Sequence, residues 1–222
     1  MNELLLIILA YLIGSVPTSV WVSQYFFDID IRDYGSGNAG ATNTYRVLGP
    51  KWGTLVMVTD MVKGIIAVKL ALLLPEYADN EVNLQNLQTG LGLAAVIGHI
   101  FPIWADFRGG KGVATLFGLV LGISPWTALS CVGIFLIVLY TTRFVSLSSI
   151  LASIAFPIFI LVIFNVDNPI YRVFAIAVAL MVLLSHQKNI SRLLKGNESK
   201  VPILRHRDRR RQRRREASQN RD

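Results

Sequence analysis

The sequence is poor in charge. Asp, Glu, Lys and Arg make up 16% of its 222 residues against 53% hydrophobic ones, and the mean hydropathy is +0.49. A soluble domain carries about 25% charged residues, so this balance excludes one and indicates an integral membrane protein. Cysteine is almost absent: Cys131 stands alone, which excludes an internal disulfide framework. Histidine is scarce too, and His99, His186 and His206 stand far apart with no His-Glu-x-x-His or paired-Cys motif beside them, which leaves a zinc site without support. Acidic residues are the minority, 14 against 22 Lys and Arg, for a net charge of +8. Most of that excess lies after Leu204, where nine Arg oppose three acidic residues.

Long apolar runs are what the sequence has instead. The first, 4–22, is about the ~20 residues that a spanning helix needs, with Glu3 before it and no small-x-small cleavage site after it, so it reads as a retained helix. The second, 52–74, contains Asp60, Lys63 and Lys69, which are costly in hydrocarbon unless paired or turned inward; Asp60 and Lys63 share a helix face. Two shorter stretches follow, 90–104 and 113–123, separated by glycine and charge in the manner of half-helices around a buried site. Three more spans are expected over 125–140, 146–164 and 170–186. The fold class is therefore all-α and polytopic, with about seven crossings, or five if both short pieces are re-entrant.

Arg32, Arg46, Lys51, Arg108, Lys111, Arg143 and the tail fall on one side of a seven-helix arrangement, whereas 75–89, 123–125 and 165–169 contain no Lys or Arg. Basic loops stay in the cytoplasm, which puts the N-terminus outside and the C-terminus inside. The expected division is a transmembrane unit over 1–204 and a basic cytoplasmic tail over 205–222. That tail is expected to be disordered and to lie on anionic lipid headgroups, a nearer polyanion than nucleic acid.

The unusual chemistry is confined to the inner loops. The first carries Gly35, Ser36, Gly37, Asn38, Gly40, Thr42 and Asn43, with Arg46 three residues on. Such a stretch can turn several N–H groups and hydroxyls toward an anion, or it can be a flexible polar connection; Arg46 favours the anion. The second runs from Gly98-His99 to Gly109-Gly110-Lys111-Gly112 and leads into a helix bearing Thr115. A helix N-terminus with free N–H groups, a lysine and a hydroxyl one turn in is a phosphate site. It is not a Walker A loop, because Gly112 stands where Ser or Thr would follow the lysine. A third set combines Ser146 and Ser149 with His186 and Asn189, the last two sharing one helical face.

Ser36 lacks the glycine two residues earlier that a nucleophile elbow requires, and the sequence also lacks the His-x-x-x-x-Asp pair that acyltransferases using thioester donors would be expected to carry. Taken together, the three ordered motifs at 35–43, 98–115 and 146–149 with 186–189 resemble those of the bacterial acyl-phosphate:glycerol-3-phosphate acyltransferases, the PlsY family. The resemblance spans about 1–200 and leaves out the basic tail. It implies a multi-pass protein of the bacterial inner membrane that moves a fatty acyl group from acyl phosphate to the 1-hydroxyl of glycerol 3-phosphate, giving lysophosphatidic acid and phosphate. It also implies a site on the cytoplasmic face, no cofactor or metal, and a functional coupling to the enzyme that makes acyl phosphate.

By the same match Ser36, Arg46, Lys111, His186 and Asn189 would be catalytic. Gly37, Asn38, Gly40, Thr42, Asn43, His99, Gly109, Gly110, Gly112, Thr115, Ser146 and Ser149 would hold substrate phosphates. The competing reading is a membrane transporter of a small anionic solute, since broken helices and lysines also serve that purpose. Against it, the sequence shows no paired broken segments in two related halves.

Overall fold

The computed structural model of the protein describes residues 2–200, so the arginine-rich tail lies outside the described residues. Ten α-helices occur among them: α1 (Glu3–Ser15), α2 (Thr18–Phe27), α3 (Ala41–Leu48), α4 (Pro50–Lys69), α5 (Glu81–Ile100), α6 (Val113–Ile123), α7 (Pro125–Thr142), α8 (Val145–Ile158), α9 (Pro169–Ser185) and α10 (Gln187–Leu194). Pro50, Pro125 and Pro169 open α4, α7 and α9, where a missing N–H costs nothing. Pro17 has the opposite effect: it interrupts the first apolar run, so α1 ends at Ser15 and α2 resumes at Thr18 and continues to Phe27. Lys63 donates to the Val16 carbonyl exposed at that break.

Glycine decides which helices touch. A Cβ at Gly118 would lie 1.9 Å from the Met61 carbonyl oxygen, and one at Gly64 would lie 2.2 Å from that of Thr115, so α4 and α6 meet backbone to backbone. Around this pair the larger core collects on α6, α8 and α9, with Leu119, Phe156, Ile160, Tyr171, Phe174 and Val178. A second core joins α1, α4 and α5 through Leu6, Ala10, Ala67, Ala71, Leu91 and Ala95. Outside these layers α7 buries only Thr127 and Ala128, and large apolar side chains such as Leu136, Ile137, Val162 and Leu180 face outward. An outer surface of that kind is compatible with lipid and not with water.

Glu3–Phe27, Glu81–Ala105, Pro125–Thr142 and Val145–Ile163 are long and apolar enough to cross a membrane, and α9 with α10, bent by 60°, makes a fifth if the pair is one span. The 20-residue α4 has the length but also carries the buried Asp60 and Lys63. The expectation of two short helices is half right. α6 has 11 residues, whereas the stretch 90–104 belongs to a full helix of 20 residues that starts at Glu81. Hydropathy misses the beginning of α5 because its first turns are polar, yet those side chains are satisfied. Asn80 caps the helix by accepting from the Asn83 N–H at 3.0 Å, and the Asn168 amide donates to Gln85 and Asn86 at 2.7 and 2.9 Å. These contacts close the end of the bundle opposite the glycine-rich loops.

Candidate active site

The first loop is folded by one buried side chain. Asn43 accepts the Ser36 N–H at 2.8 Å and donates to the carbonyls of Ile31 and Tyr34 at 3.0 and 2.9 Å. Gly35 and Gly37 take the left-handed conformation that this tight path needs, φ +62° and +71°. Asn43, expected to hold phosphate, thus has its amide committed to the loop, while Ser36, Gly37, Thr42 and Arg46 remain exposed beside the half-buried Asn38 and Gly40. Arg46 is 3.4 Å from the Asn43 side-chain oxygen.

Arg32, which the sequence reading used only for orientation, fastens this loop to the next. It pairs with Asp30 at 2.6 Å and donates to the Ala105 carbonyl at 2.9 Å. The guanidinium of Arg32 holds the Asp30 carboxyl below the usual carboxylate range.

The second loop doubles back on the end of α5. Gly109 and Gly110 donate their N–H groups to the carbonyls of Ile100 and His99 at 3.1 and 3.2 Å, and Gly112, at φ +75°, swings the chain into α6. A Cβ at Gly110 would lie 2.2 Å from His99 Nε2 and 3.0 Å from the Ala39 carbonyl, so the first loop, the second loop and the His99 ring converge there. One turn into α6, Thr115 is fully buried, and among the described residues its hydroxyl finds no hydrogen-bond partner. The α6 N-terminus presents N–H groups that no helical carbonyl takes up, with Lys111 just before it, an arrangement that can hold an anion.

The third set is drawn in by the bend between α9 and α10. His186 occupies the hinge with Nδ1 2.8 Å from the Val182 carbonyl and 3.1 Å from the Ser185 hydroxyl. With the Nδ1 proton assigned to that carbonyl, the Nε2 lone pair is available to a hydroxyl group. Lys111 donates to Asn189 Oδ1 and so joins the glycine turn to α10. From there the network continues to Glu198, whose carboxylate accepts from Asn189 Nδ2 at 2.8 Å, the Ser146 hydroxyl at 2.8 Å and Arg192 Nε at 2.6 Å. Ser149 is buried on the same helix as Ser146 without entering that network.

Burial raises the Glu198 pKa, but the bonds from Arg192, Asn189 and Ser146 outweigh it and hold the carboxyl below its ordinary value. Lys111 moves further. Burial, with the nearby Arg192 charge and against Glu198, pulls it down to about 8. If the lysine must be charged to hold a phosphate, kcat/KM falls as pH rises through 8, approaching ~10-fold per unit. The Lys111→Arg variant should be flat over the same range, because guanidinium does not titrate there. An alkaline limb that persists in Lys111→Arg would assign it to another group.

Lys111, Asn189 and Ser146 are brought together as the motifs suggest, with His186 at the hinge beside them. Ser36 and Arg46 make their polar contacts inside their own loop, which reaches the second loop through Ala39 and Arg32. Sequence reasoning missed Arg192 and Glu198. The available signal was an acid in an otherwise basic segment shortly after His186-x-x-Asn189. Among the described residues, no three His, Cys, Asp or Glu side chains stand together as a metal would require.

The family description that matches residues 4–196 is glycerol-3-phosphate acyltransferase. Curated proteins of that name are similar over nearly their whole length. The one from Chlorobium chlorochromatii is 38% identical across 91% of this chain and 98% of its own, and the one from Macrococcus caseolyticus is 42% identical across 90% and 98%. Among solved structures, PlsY, an integral membrane glycerol 3-phosphate acyltransferase, is similar in its glycerol 3-phosphate form with a TM-score of 0.79 and 37% identity, covering 91% of this chain and 97% of that one. Its lysophosphatidic acid form gives a TM-score of 0.76 at 36% identity. On its sequence, its fold and the convergence of its three loops, the chain belongs to the glycerol-3-phosphate acyltransferase family.

Proposed function

We propose that the protein transfers a fatty acyl group from acyl phosphate to the 1-hydroxyl of glycerol 3-phosphate, releasing lysophosphatidic acid and phosphate. The observation that carries this reading is the Lys111 bridge. One cation stands between two anion-holding arrangements, the α6 N-terminus with Thr115 on one side and Ser146, Asn189 and Arg192 on the other. Two phosphates brought close together need such a pair of sites. The similar protein PlsY was crystallised in a glycerol 3-phosphate form and a lysophosphatidic acid form, which correspond to acceptor and product of this transfer.

The acyl phosphate lies at Gly109, Gly110, Lys111, Gly112 and Thr115, with His99 behind the turn. Glycerol 3-phosphate is held by Ser36, Arg46, Lys111, Ser146 and Ser149, where Gly37, Asn38, Gly40, Thr42 and Asn43 shape the first loop. The acceptor oxygen attacks the acyl carbon and the bond from that carbon to the bridging phosphate oxygen breaks. The electron pair leaves on phosphate, and the hydroxyl proton passes to a phosphate oxygen while His186 and Asn189 orient the hydroxyl. An acyl phosphate is already an activated anhydride, so positioning and charge stabilisation supply the acceleration. We place the protein in the bacterial inner membrane with the loops in the cytoplasm, following its basic residues. The tail 205–222 rests there on anionic headgroups, outside the catalytic unit.

The test is purified protein given palmitoyl phosphate and glycerol 3-phosphate without metal or nucleotide. Equal release of lysophosphatidic acid and phosphate, absent with palmitoyl-coenzyme A, is the expected result. A His186→Gln variant that keeps at least ~1% of turnover fits a positioning role, whereas complete loss makes His186 the base. No product from either donor with folded protein would favour transport, to be read as solute flux in sealed vesicles.

A further inference from the structure

Asp60 and Lys63 take no part in the transfer as written above, yet they are buried in the middle of the fold, 2% and 4% exposed. Lys63 Nζ is 2.6 Å from Asp60 Oδ1 and also donates to the Val16 carbonyl, so the carboxylate cannot rotate freely. The same Oδ1 is 3.6 Å from Nδ1 of His99, which is itself 8% exposed. The opposite ring nitrogen, Nε2, abuts the Gly110 backbone at the centre of the glycine turn. His99 supports Gly110 a second time through its carbonyl, which accepts the Gly110 N–H. A continuous path thus runs from the break after α1 through Lys63, Asp60 and His99 to the turn.

Stability gives no reason for this arrangement. α4 and α5 are already packed through Ala67, Leu91 and Ala95. An ion pair in such a setting costs desolvation that apolar side chains of similar volume avoid. What apolar side chains cannot do is select the face and orientation of an imidazole. A carboxylate held 3.6 Å from one ring nitrogen attracts that edge of the imidazole and so turns the other edge toward the far side.

We propose that Asp60, held by Lys63, is a positioning residue for the transfer: it orients the His99 ring and through it fixes the Gly109–Gly112 turn that receives the phosphate of the acyl donor. The inference rests on assigning that turn to the donor. It predicts control of the donor side of the reaction and not of the acceptor side.

The test uses the full chain in detergent and the double variant Asp60→Asn/Lys63→Met, which leaves no unpaired buried charge. KM for palmitoyl phosphate should rise ~10-fold or more while KM for glycerol 3-phosphate moves by less than ~3-fold. His99→Gln should reproduce that split, and combining it with the double variant should add nothing. Independently of any substrate, the nitrogen-15 resonances of the His99 ring should move in the double variant while those of His186 stay in place. Should the double variant fail to fold, Asp60→Glu keeps the carboxylate on a longer stem and should raise the donor KM alone. A folded variant with both KM values unchanged, or with equal losses on both substrates, overturns the proposal. A wild-type protein that makes no product from palmitoyl phosphate overturns the donor assignment itself, whereas unmoved His99 resonances overturn only the link to Asp60.

Discussion

Replacing Lys111 by Met lowers kcat/KM by ~10²- to 10³-fold, equivalent to about 3–4 kcal/mol of transition-state stabilisation. The expectation follows from where the ammonium stands. Lys111 is half-buried at the entry to α6 and bonded to Asn189, so its charge acts where water screens it poorly. In the proposed transfer, charge grows on the departing phosphate as the acyl bond breaks, and a cation beside it is worth more in the transition state than in the ground state. The loss should therefore fall mainly on kcat. Methionine keeps the apolar reach of the lysine stem without the charge, and the fold should survive. Steady-state kinetics on the folded variant provide the check, and kcat/KM within ~3-fold of wild type would remove Lys111 from the site.

Gly118→Ala is expected to be the most damaging single methyl group in the bundle. Its Cβ would stand 1.9 Å from the Met61 carbonyl oxygen, an atom of a helix backbone that cannot swing aside. Relief requires α6 to move away from α4, and overpacking of this kind costs ~1–3 kcal/mol or more, a drop in Tm of several degrees. Activity should fall with it, because α6 carries the glycine turn at its N-terminus. Gly133→Ala is the matched control. Nothing lies within 4 Å of its Cβ position, and alanine in a helix interior gains up to ~1 kcal/mol over glycine, so that variant should be at least as stable as wild type. Equal Tm values for the two variants would contradict the close α4–α6 crossing.

How much of this was legible in the sequence depends on whether a residue acts locally or at a distance. The glycine turn could be read because its features are contiguous: Gly109, Gly110, Lys111 and Gly112 announce a helix N-terminus without knowledge of any partner. The charge pair Asp60 and Lys63 stood out because three-residue spacing on a helix is a local rule. The beginning of α5 was missed because its polar turns are satisfied by Asn168, more than eighty residues later. Loop-forming Asn43 looked like a ligand residue, since an amide that folds its own backbone and one that faces substrate have the same sequence signature. His99 and Asp60 lie on different helices, so no spacing rule connects them. The role of Glu198 was hidden for a related reason, beyond the bare signal of an acid in a basic segment: its partners Ser146, Asn189 and Arg192 come from two helices that only the bend after Ser185 brings within reach.

The position of Glu198 also has a mechanical side. Its carboxylate, which follows α10 in the chain, is gripped by three donors from α8 and α10. Load on the segment that carries Glu198 is transmitted first to this grip and then, through Asn189, to Lys111. A pull on the backbone at Glu198 is therefore felt at the entry to α6, where Lys111 stands. Attachment at Asn2 pulls instead on the first turn of α1, at the end of the bundle away from the glycine turn.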